Sequence, residues 1–155
     1  MRLFAHYFFV LFASLFYLQA EGKRVYTVAS PDSSIVYTAE VKANILFYRV
    51  SYKGKIILSN SALSLIFKEA SFSNNISITA ATLTKGTETY SLLIGKAKDI
   101  NDGYQQLIIN VQQTESPFLQ LSIMVRVFND GLAFRYQLPQ WQNHSSFTLL
   151  QENTS

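Results

Sequence analysis

The chain has 155 residues, a formal net charge of +3 and no cysteine. That length supports one domain with its own core. Thiol catalysis, disulfides and cysteine-bound zinc are excluded, and the scattered Lys and Arg residues form no nucleic-acid footprint.

Residues 1–20 read as a secretory signal peptide. Arg2 gives a short basic start, Leu3 to Leu18 is an apolar run rich in Phe, and Ala20 places a small residue before the polar Glu21-Gly22-Lys23-Arg24. The run is short for a membrane span of about 20 residues, and His6 interrupts it. Without a cysteine there is no lipoprotein anchor. The expectation is therefore a periplasmic or secreted protein whose domain covers residues 21–155.

The rest reads as strands and turns, with no helical periodicity. Arg24 to Ala29 is a first strand, and Ser30-Pro31-Asp32-Ser33 is a turn, since Pro presets φ while Asp and Ser bond locally. Ile35 to Val41 follows. Asn44 to Tyr52 has Leu46, Tyr48, Val50 and Tyr52 on one face. Lys53-Gly54 turns it into Lys55 to Leu58, and Ser59-Asn60-Ser61 is expected to end that arm. Ala62 to Phe67 reads as a separate buried strand, and Ser71 to Asn75 as a loop. Ile76 to Leu83 alternates, Lys85-Gly86-Thr87 is expected to break it, and Thr89 to Ile94 is short and apolar. Gly95 to Gly103 is the most polar window, a loop or a strand edge. Tyr104 to Gln113 sets Leu107, Ile109 and Val111 on one face, and Ser116-Pro117 turns the chain again.

Next comes the most strongly patterned stretch. Leu119, Leu121, Ile123, Val125 and Val127 alternate with polar residues, then Leu132, Phe134, Tyr136 and Leu138 do the same. Asp130-Gly131 between them is a type I′ hairpin signal. A two-residue loop would set Val127 against Phe134 and Val125 against Tyr136. It would also set Arg126 against Arg135, which is unfavourable without a nearby carboxylate. On that register Arg126→Ser should stabilise the chain, unless a partner for Arg126 exists within these residues. Gln140 to Ser145 is a loop, and Phe147 to Leu150 starts a last strand.

Strands at intervals of about 8–12 residues, without crossover helices, point to an all-β antiparallel β-sandwich. The polar Gln151 to Ser155 follow an apolar strand with no closing element. The expectation is a sandwich incomplete at its C-terminus, the front piece of something longer.

Few residues offer chemistry. General acid–base work by carboxylates needs two of them held close together, and no recognisable pair stands out. Asp32 and Asp130 read as turn formers. Asp99 and Asp102 could offer oxygen ligands to calcium or simply line a solvated loop. Trp141, beside Gln140, Gln142, Asn143 and His144, could stack on a sugar or pack at a strand end. His144 alone lacks the companions a metal needs.

Val125-Arg126-Val127-Phe128-Asn129-Asp130-Gly131-Leu132-Ala133-Phe134-Arg135-Tyr136 resembles the signature near the end of the N-terminal domain of glycoside hydrolase family 97. Ser30-Pro31-Asp32, Tyr48 to Lys55, Ser61 to Leu65 and Ile100-Asn101-Asp102-Gly103-Tyr104 agree in the same order. The resemblance implies a galactose-mutarotase-like super-sandwich that borders a (β/α)8 catalytic barrel absent from this chain. It implies an exported α-glucosidase or α-galactosidase that uses calcium. No catalytic, cofactor-binding or metal-binding residue of that family transfers to a position here, so no hydrolase activity is expected from these residues alone. The alternative is a free-standing carbohydrate-binding module, with Trp141 as its sugar contact.

Overall fold

The computed structural model describes residues 24–91, 99–140 and 146–154. The leader assigned to residues 1–20 lies outside that set. Among the described residues there is no helix, and nine strands run in the order β1 (Val25–Ala29), β2 (Ile35–Lys42), β3 (Ile45–Tyr52), β4 (Lys55–Phe67), β5 (Ile76–Ser91), β6 (Asp99–Gln113), β7 (Gln120–Val127), β8 (Leu132–Gln137) and β9 (Leu149–Thr154).

They form two antiparallel sheets, β1-β2-β3-β4-β9 and β5-β6-β7-β8. The inner faces are the apolar alternations of the sequence. Val28, Tyr37, Ala39, Leu46, Tyr48, Val50, Leu63 and Leu65 come from the first sheet, and Leu107, Ile109, Val111, Leu121, Ile123, Val125 and Val127 from the second. On the second sheet they stack in register, Leu107 against Val125 and Ile109 against Ile123. Each such side chain fully buried contributes about 1.5–3 kcal/mol of hydrophobic stabilisation. A one-residue slip would turn the whole row to solvent, so the register is strongly fixed.

Two tight turns are type I′ in character. Ala43 and Asn44 have φ of 48° and 62°, and Lys53 and Gly54 have 47° and 79°. Each joins strands paired at the adjacent residues, Lys42 with Ile45 and Tyr52 with Lys55. Asp130-Gly131 does not form such a turn, and neither residue has positive φ. The β7–β8 connection is four residues long, closed by the Phe128 amide donating to the Gly131 carbonyl at 2.8 Å. Val127 therefore pairs with Leu132, Val125 with Phe134 and Ile123 with Tyr136. Apolar still meets apolar, but two residues out of the expected step. Tertiary contacts hold the wider loop: the Phe128 ring lies 5.4 Å from that of Tyr104. Asn129 Oδ1 accepts the Asp32 amide at 3.0 Å, joining this loop to the β1–β2 turn.

Two further expectations are corrected. Ser59-Asn60-Ser61 does not end an arm: β4 runs unbroken from Lys55 to Phe67. The chain absorbs the irregularity as register shifts opposite Tyr48 to Ser51, with Asn60 at φ 49°. Gly86 likewise does not break β5, which pairs with β6 from Ile76–Gln113 to Ser91–Asp99. Asp99 to Gly103 therefore belong to a strand rather than a loop.

Candidate functional site

The long β5–β6 ribbon and the β7–β8 hairpin give the second sheet a patterned outer face. Because Leu107 and Ile109 point inward, Tyr104 and Gln106 of β6 point outward. The same parity brings out Gly86 and Glu88 on β5, Met124 and Arg126 on β7, and Ala133 and Arg135 on β8.

Arg126 is the hub. Its Nε donates to Gln106 Oε1 at 2.8 Å, and its Nη1 is ion-paired with Glu88. Its guanidinium carbon lies 4.5 Å from the centre of the Tyr104 ring, a stacked cation–π arrangement. Tyr104 in turn covers Gly86, where a Cβ would come within 2.5 Å of the phenol oxygen. A glycine is required here by close approach of a ring, not by a turn.

The expected opposition of Arg126 and Arg135 is absent. Arg126 pairs with Ala133, and Arg135 with Met124. The small Ala133 beside the fixed Arg126 leaves a groove of about 250 Å³, lined by Glu88, Met124, Arg126, Phe128, Ala133, Phe134 and Arg135. It offers apolar surface next to one carboxylate and two guanidinium groups.

The other candidates fall elsewhere. Trp141 and His144 lie outside the described residues. Asp99 and Asp102 both sit on β6 but differ in parity, so they project to opposite faces. Asp99 Oδ1 accepts the Ser91 hydroxyl at 2.7 Å, and Asp102 lies opposite Glu88. They do not converge on an ion. Among the described residues there is no group of three or more His, Asp or Glu that could hold a metal. Asp32 is a turn former: its Oδ1 accepts the Ser30 hydroxyl at 2.6 Å and the Ser34 amide at 2.9 Å. These bonds hold its carboxyl below the usual carboxylate range. Sequence reading missed Glu88, Met124, Tyr104 and Ala133, because only the strand pairing places them around Arg126.

The chain matches the family described as Glycosyl-hydrolase 97 N-terminal over residues 28–155. A glycoside hydrolase family 97 enzyme from Pseudoalteromonas sp. strain K8, in complex with panose, is 25% identical with a TM-score of 0.76. That match covers 83% of this chain and 20% of the enzyme. The same enzyme in complex with acarbose gives 25% identity and a TM-score of 0.75, over 82% of this chain and 19% of the other. A β-arabinopyranosidase gives 25% identity and a TM-score of 0.77, over 83% and 20%. The chain thus spans about a fifth of the length of the solved structures it resembles.

Proposed function

The chain belongs to glycoside hydrolase family 97 as its N-terminal domain, and from that membership we propose a non-catalytic, carbohydrate-associated role. The sandwich packs on and borders a (β/α)8 catalytic domain that these 155 residues do not include. The parent activity is hydrolysis of α-glucosides or α-galactosides, with calcium held by residues outside this chain. The leader at residues 1–20 directs the protein to the periplasm or beyond. The observation that carries this reading is the lopsided coverage: the match takes in 83% of this chain but 20% of the relative. An assay of the chain on aryl α-glucosides and α-galactosides tests it. Background hydrolysis alone is expected, and turnover that is lost on substitution of the chain's own carboxylates Glu88 and Asp102 would overturn it.

The outer-face groove favours a second reading, a free-standing carbohydrate-binding module. It would join apolar surface to a fixed Arg–Glu pair, as sugar sites do. Titration with malto-oligosaccharides, followed by Trp141 fluorescence and thermal stability, separates the two. Unchanged signals in both would leave the domain with a purely supporting role.

A further inference from the structure

The groove between Arg126 and Arg135 carries an electrostatic asymmetry. Its lining holds two guanidinium groups and one carboxylate. Glu88 and Arg126 satisfy one another. Arg135 is exposed and has no hydrogen-bond or ion-pair partner among the described residues. Asp102 lies opposite Glu88 on β6 and is not among the residues that line the groove. The missing charge beside Arg135 is therefore negative.

The rest of the lining says what should carry that charge. Met124, Phe128, Ala133 and Phe134 give apolar surface, which suits the C–H face of a pyranose ring rather than a bare inorganic anion. The second oxygen of Glu88 can accept a hydroxyl. Arg126 is held by Gln106, Glu88 and the Tyr104 ring, so little side-chain entropy is lost when a ligand meets it. The space of about 250 Å³ falls below the roughly 300–1,000 Å³ of sites for drug-sized ligands. One ring fits within that space, and a longer glycan would enter by its end.

We propose that this outer-face groove is an accessory site for an acidic sugar, a terminal hexuronate. Its carboxylate meets Arg135, its hydroxyls meet the Arg126–Glu88 pair, and its ring lies on Met124 and Phe128. The inference rests on the carbohydrate-associated reading, not on any catalytic one.

The test is an NMR titration of the chain with galacturonate and glucuronate. Galactose, glucose, acetate and N-acetylglutamate are run alongside. Shifts are expected at the amides of residues 124–128 and 133–135 with the uronates, weakening as salt is raised. Arg135→Ser should weaken binding at least about fivefold, the effect of losing one charge-assisted contact. Ala133→Leu, which fills the groove while leaving both arginines, should weaken it as much. Neutral sugars bound as tightly as uronates would overturn the acidic class. Acetate or N-acetylglutamate bound as tightly would reduce the groove to a general carboxylate site and overturn the sugar. No shift with any probe would overturn the site. Turnover of an aryl glycoside would overturn the non-catalytic reading and leave the titration result standing.

Discussion

Arg126 on β7 reaches across β6 to the carboxylate of Glu88 on β5, so one ion pair spans three strands of the sheet. The residue that the sequence sets in conflict with Arg135 is in fact held by Glu88, Gln106 and the Tyr104 ring. Its carboxylate partner comes from 38 residues upstream.

That contact fixes the sign of the first prediction. Arg126→Ser removes a partly exposed ion pair, worth about 0.2–1 kcal/mol, and a cation–π contact of about 0.5–1 kcal/mol. The Gln106 bond goes too. A loss of about 1–2 kcal/mol is expected by urea denaturation. If the substitution stabilised the chain, Glu88 would not be an effective partner and the repulsion from Arg135 would be the dominant interaction.

Gly86 and Tyr104 should behave as one unit. Gly86→Ala forces a methyl against the Tyr104 ring, displacing it from both Arg126 and Phe128. A loss of about 1 kcal/mol is expected, in the range of overpacking costs. In a Tyr104→Ala background the same change should become neutral or stabilising by about 0.5–1 kcal/mol, because Gly is then only a flexible strand residue. A double-mutant cycle reads the difference. Additive single changes would mean that the ring does not sit over the glycine in solution.

The contrast between these elements and the inner face shows what local pattern can reveal. Ile123, Val125 and Val127 were legible as core because burial follows a period of two, and the same holds for Leu46, Tyr48 and Val50. Lys53-Gly54 was legible because Gly54 takes the positive φ that a tight hairpin turn needs. Asp130-Gly131 carries a comparable local signal yet forms a wider loop, since Phe128 and Asn129 gain partners on β6 and the β1–β2 turn. Gly86 reads as a breaker in one dimension and as a ring's resting place in three. The Arg126–Glu88–Tyr104 cluster was invisible for the same reason: its members meet only after β5, β6 and β7 have paired.

Asp32 predicts the acid limb of the stability curve. Hydrogen bonds from the Ser30 hydroxyl and then the Ser34 amide lower its pKa in the folded chain. A carboxyl with a depressed folded pKa contributes stability above its unfolded pKa of about 3.9, and that contribution is lost as pH falls through the lower folded value. Asp32→Asn should therefore flatten the decline of Tm below about pH 4. Parallel curves for the two proteins would show that the turn bonds do not distinguish the charged from the neutral form.

Tyr37 makes the last prediction. Its ring is fully buried and stacks on Tyr48 with centroids 5.7 Å apart. Its hydroxyl is buried without a hydrogen-bond partner among the described residues, a situation that costs about 1–3 kcal/mol. Tyr37→Phe keeps the stacking and removes the stranded oxygen, so a gain of about 1 kcal/mol is expected at neutral pH. Burial, and then the neighbouring Tyr136 and Tyr48, push the phenol well above its ordinary value. Below about pH 10 both folded and unfolded chains hold this proton, and stability does not depend on it. Above that pH the unfolded chain releases the proton while the folded chain keeps it, so stability falls by up to about 1.4 kcal/mol per pH unit. The phenylalanine variant lacks this loss. Its advantage over the parent in urea denaturation should widen from pH 9 to pH 11, whereas a constant gap would mean that the Tyr37 hydroxyl reaches solvent or a partner in the folded chain.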